Sequence, residues 1–104
     1  MVHVLASLRI IEGKREDFLG IFRPFAEMTR QEDGCEKYLC ATDLETGLPP
    51  QTLDENVVTI IETWASLDAL RAHLPSPHMA AQHEREKGIV EGLVSLKILQ
   101  EPAV

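Results

Sequence analysis

Between Val57 and Trp64 the chain reads VVTIIETW, and six of these eight residues are β-branched. Such a run packs well on a pleated sheet and loses rotamer freedom in a helix, so it predicts a strand. Alternation then divides the strand in two. Val58, Ile60, Glu62 and Trp64 share one face, and Val57, Thr59, Ile61 and Thr63 share the other. Apolar residues on both faces need cover on both sides, or they form an exposed patch that another chain must bury.

The neighbouring patterns supply that cover. Residues 2–11, VHVLASLRII, predict a strand with Val2, Val4, Ala6, Leu8 and Ile10 on one face. Residues 15–32 predict a helix whose buried stripe is Phe18, Ile21, Phe22, Phe25 and Met28. Glu16 and Asp17 suit its first turn, Pro24 should kink it, and Gly34 offers a left-handed stop. CEKYLCATD at 35–43 and LVSLKILQ at 93–100 predict two further strands. The segment 45–56, ETGLPPQTLDEN, is long for a hairpin link and has the length of a lid or rim, a role the sequence leaves open. Ser66 caps a short helix over 67–74, which Pro75 ends. Ser76 caps another helix, with Pro77 at its first position, that runs to about Lys87. The order β-α-β-β-α-β is the ferredoxin-like split arrangement, an α+β fold with a four-stranded antiparallel sheet and helices on one face. One domain, 1–104, is expected. The face without helices predicts a homodimer in which two sheets pack together.

Composition narrows the partners. A net charge of −7 and a pI near 5.0 exclude nucleic acid and anionic membrane surfaces as expected partners, because no excess of Lys and Arg is present to neutralise phosphates. No apolar run is long enough for a membrane span, and MVHVLASLRI lacks the basic start of a signal peptide. A cytoplasmic setting is therefore expected, with Cys35 and Cys40 as reduced thiols.

The polar residues that interrupt apolar rows are the site candidates. A carboxylate at Glu62 needs a partner, and Arg9 or Arg71 could provide one. Its bland role is structural, as a hydrogen-bond acceptor. Trp64 packs in the core or walls a pocket with its indole N–H available to donate. His73, His78 and His83 invite a metal reading, but five residues on a helix turn through about 500°, so successive histidines would not share a face. No metal is expected. His73 can face the same cavity as Trp64 and exchange protons near neutral pH, or it can rest at a helix end against the dipole. His83, among charged residues, reads as solvated.

Three stretches resemble one family. EDGCEKY (32–38) is similar to the Glu-Pro-Gly-Cys-x-x-Tyr signature of the antibiotic biosynthesis monooxygenase family. ETWASLDALRAHLPSPH (62–78) resembles that family's Glu-x-Trp-x-Ser-x-x-Ala-Leu-x-x-His-x-x-Ser-x-His pattern, and IIEGKREDFL (10–19) resembles the opening of its first helix. The resemblance implies a dimeric α+β barrel with a pocket between sheet and helices in each subunit. It also implies a cofactor-independent monooxygenase that acts on a quinol or polycyclic phenol with dioxygen, using no flavin, haem or metal. Tyr38, Glu62, Trp64, His73 and His78 carry over. His73 is then the expected base, with Trp64 and Tyr38 at the substrate ring, Glu62 and His78 nearby, and Arg9 or Arg71 stabilising the anion. Asp33 replaces the family's proline, and Met79 stands where many members have an aromatic residue. The first strand lacks the asparagine of haem-degrading relatives, which disfavours haem breakdown. Two other readings stay open. One is a non-enzymatic dimeric binding or stress-response module for a small aromatic ligand, and the other is an isomerase.

Overall fold

The computed structural model describes residues 1–103. Its elements run β1 (Val2–Ile10), α1 (Arg15–Thr29), β2 (Cys35–Thr42), β3 (Val57–Trp64), α2 (Leu67–His73), α3 (Pro77–Glu86) and β4 (Val90–Gln100). The sheet order is β2-β3-β1-β4 and every pair is antiparallel, which is the ferredoxin-like arrangement. The strand rich in β-branched residues, β3, lies between β1 and β2, where a strand needs cover most.

The helices cover one face. From β1 that face presents Val2, Val4 and Ile10, and from β3 it presents Val58, Ile60 and Trp64, all buried. Phe18, Phe22 and Ala26 of α1 pack on them. The helix stripe is thus rotated from the predicted one: Ala26 and Thr29 are buried, whereas Met28 is half exposed. Pro24 interrupts the hydrogen bonds of α1 on its exposed side, and the helix continues through it.

The opposite face is less apolar than expected. Its central row is Leu39, Ile61 and Leu5, which are paired across β2, β3 and β1. Hydroxyl and imidazole pairs flank the row. Ser7 bonds Thr59 at 2.9 Å and His3 Nδ1 bonds Thr63 Oγ1 at 3.0 Å. The larger uncovered apolar surface is β4. It overhangs the helical layer, and Leu93, Val94, Leu96, Ile98 and Leu99 are 44–58 % exposed. It also begins at Val90, three residues earlier than predicted, with irregular register against β1 at Ser7/Leu8 and Arg9/Ile10.

Candidate functional site

Two side chains of β3 begin the site. Glu62 and Trp64 are two residues apart on one strand and therefore project to the same face. The Trp64 indole N–H donates to Glu62 Oε1 at 2.9 Å, so this buried carboxylate finds its partner on its own strand. Pairing across the sheet sets Glu62 between Val4 of β1 and Tyr38 of β2. Burial pushes the Glu62 carboxyl above the usual range, opposed by the indole hydrogen bond and by the nearby His73. Burial likewise pushes the Tyr38 phenol far up, reinforced by the negative charges of Glu62, Glu86 and Glu32. Tyr38 therefore stays protonated and can donate but not accept a proton at neutral pH.

His73, in the last turn of α2, closes over these rings. Its imidazole centroid lies 4.7 Å from the Trp64 ring and 5.6 Å, edge-on, from Tyr38, which in turn stacks on Phe22 at 5.5 Å. His73 Nδ1 bonds Glu32 Oε2 at 2.7 Å, and His78 Nε2 bonds the same oxygen at 2.8 Å. An ionised carboxylate only accepts, so both of these ring nitrogens carry hydrogen and donate. A neutral His73 then keeps its lone pair on Nε2, the nitrogen turned away from Glu32. This is how a carboxylate fixes the tautomer and orientation of a general base.

Local structure explains how Glu32 gets there. It sits in the turn after α1, where its N–H donates to Thr29 and its carbonyl accepts from Cys35 N. Gly34 completes that turn at φ +81°, and its carbonyl accepts from Ala65 N at 2.7 Å. A Cβ at Gly34 would lie 2.6 Å from the Ala69 Cβ, so glycine is what lets the turn rest against α2. The contact brings Glu32 beneath His73.

The structure sorts the remaining candidates by position. His78 joins His73 on one carboxylate because Pro75 and Ser76 separate two helices. The expectation that these two histidines would not share a face is corrected, because the rings sit on separate helices and converge on Glu32 Oε2. His83 is exposed. Arg9 lies on the opposite face, paired with Asp54 at 2.9 Å, and does not reach Glu62. Arg71 is exposed and, among the described residues, approaches the carboxylate of Asp68 on its own helix at 3.8 Å. The 45–56 segment joins the ends of β2 and β3 farthest from Trp64. Seven strand residues, Val57 to Thr63, or about 23 Å, lie between it and Trp64, so it attaches well away from the Trp64–His73 end of the sheet. Glu32 itself did not stand out as functional in the sequence. Its one signal was its place at the head of EDGCEKY.

His73 is 1 % and Trp64 0 % exposed. The site is a packed cluster rather than an open pocket, and Glu32 and His78 form its partly exposed rim. A groove of about 500 Å³ lies elsewhere, between α1 and β2, lined by Phe22, Arg23, Arg30 and Cys40 among others.

Comparison with known proteins agrees with this architecture. Residues 1–85 match the family model described as antibiotic biosynthesis monooxygenase. The chain is 33 % identical over 102 residues to "Probable quinol monooxygenase YgiN" of Escherichia coli K12, covering 96 % of this chain and 97 % of that protein. A Deinococcus radiodurans structure, described as a candidate antibiotic biosynthesis monooxygenase, superimposes with a TM-score of 0.80 at 25 % identity, covering 100 % of this chain and 95 % of that one. A conserved protein of Methanosarcina mazei Go1 shares the fold with a TM-score of 0.82 at 20 % identity, over 97 % and 92 % of the two chains.

Proposed function

The chain belongs to the antibiotic biosynthesis monooxygenase family, and on that premise we propose that it is a cofactor-independent monooxygenase acting on a quinol or polycyclic phenol. Family and relative point to monooxygenase chemistry. The observation that carries the finer reading is the His73 imidazole, oriented by Glu32 through Nδ1 and stacked against Trp64 and Tyr38.

In this reading the substrate ring takes its place beside Trp64 and Tyr38. His73 Nε2 removes the phenolic proton, and the resulting anion is a far better electron donor to dioxygen than the phenol. One electron passes to dioxygen, and the radical pair combines at a ring carbon as a hydroperoxide. Loss of water leaves a carbonyl. One oxygen atom enters the ring, the other leaves as water, and the quinol supplies every electron. The protonated Tyr38 hydroxyl is the donor for the developing oxyanion, since the single indole N–H of Trp64 is committed to Glu62. Glu62 sets the indole, Glu32 sets the imidazole, and His78 holds Glu32. Arg9 and Arg71 take no part from within the same chain. Because the rings are sealed, substrate reaches them only when the α2–α3 segment moves off the sheet; α2 leans on β3 and α3 on α1.

The proposal includes a homodimer with β4 in its interface, supported by the overhanging apolar residues of that strand. It also places the protein in the cytoplasm. Two free thiols support that setting, and among the described residues no helix is long and apolar enough to cross a membrane.

Oxygen uptake with a panel of reduced naphthoquinones tests the assignment. We expect His73→Ala to lower kcat/KM by about 10²-fold or more. Equal rates for the variant and the wild type would remove His73 as the base. The sealed core also favours a second reading, a binding module for an aromatic ligand. Tight binding by the wild type without oxygen uptake would select it.

A further inference from the structure

Glu32, His73 and His78 come from three elements, yet one ligand atom of each lies within 4.8 Å of the other two. We propose that these three side chains form a binding site for a divalent transition ion, Zn²⁺ foremost, whose occupancy switches off His73 as a base. The second half of the proposal rests on the role given to His73 above.

The donor set suits such an ion. Two imidazoles and one carboxylate with a water in the fourth position make a recurrent zinc environment, whereas Ca²⁺ and Mg²⁺ want more oxygens than this site holds. The position suits it too. Glu32 and His78 are each 18 % exposed and give an ion access, while His73 behind them is fixed by Trp64 and Tyr38. A chain of net charge −7 attracts cations. Tetrahedral bonds of about 2.1 Å would set ligand atoms about 3.4 Å apart. The present Glu32 contacts of 2.7 and 2.8 Å need to open by well under about 1 Å, and the two histidine nitrogens, within 4.8 Å of each other, need to close by up to about 1.4 Å, movements that fall to the partly exposed Glu32 and His78 side chains.

The consequence follows from tautomers. Glu32 now accepts from His73 Nδ1–H, which leaves the lone pair on Nε2. An ion bound at Nδ1 takes that nitrogen's lone pair, so the ring proton moves through water to Nε2. At His78 the ion takes Nε2 and the proton moves to Nδ1. No proton is gained or lost by either neutral ring, but the only nitrogen of His73 able to accept a proton is now occupied by one. The same carboxylate therefore holds the base active without the ion and helps hold it inactive with the ion.

Equilibrium dialysis with Zn²⁺, combined with ¹⁵N NMR of the imidazoles, reads both halves without turnover. We expect wild type to bind one more ion than His78→Ala, with Glu32→Gln weakened at least tenfold and His83→Ala unchanged. Zinc should move the His73 proton from Nδ1 to Nε2 in the NMR signature. Co²⁺ in place of zinc should give the intense visible absorption of a tetrahedral site in wild type and not in His78→Ala. Equal binding by wild type and His78→Ala would overturn the site, as would a wild-type dissociation constant above the millimolar range. Binding without the tautomer change would overturn the switch. If zinc binds and moves the proton while no quinol is oxidised, the site stands and the monooxygenase reading falls.

Discussion

At the scale of single residues, Glu62 is a costly group in the core. Its carboxylate is buried with one side-chain donor, the Trp64 indole, and its pKa is raised chiefly by burial. A carboxyl whose folded pKa lies above its unfolded value stabilises the fold at low pH, and that contribution is lost as pH rises through the folded pKa. Glu62→Gln removes the loss while keeping an acceptor for the indole. We expect the variant to be more stable than wild type at pH 7.5 by about 1 kcal/mol and equal to it near pH 4, as read by urea unfolding at the two pH values. Glu86, also raised by burial, keeps part of the slope in both proteins. The sequence showed that Glu62 and Trp64 share a face but not that they bond each other, and it sent Glu62 to distant arginines. Glu32 was harder to see. Nothing in a turn residue's identity tells which helix the turn will meet, and its role exists only through two histidines more than forty residues away.

At the scale of elements, α2 is short and held by few contacts. Ser66 caps it by accepting from Ala69 N, and its inner face is Leu70 and His73. The turn at Gly34 braces it from outside. Gly34→Ala puts a Cβ against Ala69 and forces a left-handed φ on an alanine. We expect a loss of about 1–3 kcal/mol in thermal or urea unfolding. We also expect a loss of oxygen uptake larger than destabilisation alone explains, because Glu32 shifts with the turn. Every strand and helix of this fold was legible from period and caps, since Pro75, Ser76 and Pro77 mark their own break. What failed were the details set by neighbours. The α1 stripe turned toward Ala26 and Thr29 because it must fit the β1–β3 surface. The 45–56 segment, whose role the sequence leaves open, joins the ends of β2 and β3 opposite Trp64.

At the scale of the whole molecule, the sheet is wider than its helical layer. The strand β4 carries five large apolar residues into solvent in the single chain, a surface that monomeric proteins rarely leave bare. We expect sedimentation to show a dimer at micromolar concentration, and Leu96→Glu with Ile98→Glu to shift it to monomer while far-ultraviolet dichroism is retained. A monomeric wild type would remove the interface. The sequence predicts a partner on the sheet face without helices, and within that sheet the bare apolar residues concentrate on β4. It weighed both faces of the strands equally, whereas the Ser7–Thr59 and His3–Thr63 pairs make the central outer face partly polar. The long 45–56 segment also has a use that its distance from the histidines creates. Exposed along most of its length and held near the far end of the sheet, where Asp54 pairs with Arg9 and Asn56 O accepts from Ile10 N, it is a handle: an affinity peptide or a fluorophore grafted near Gly47 can travel with the protein without touching Glu32, His73 or Trp64.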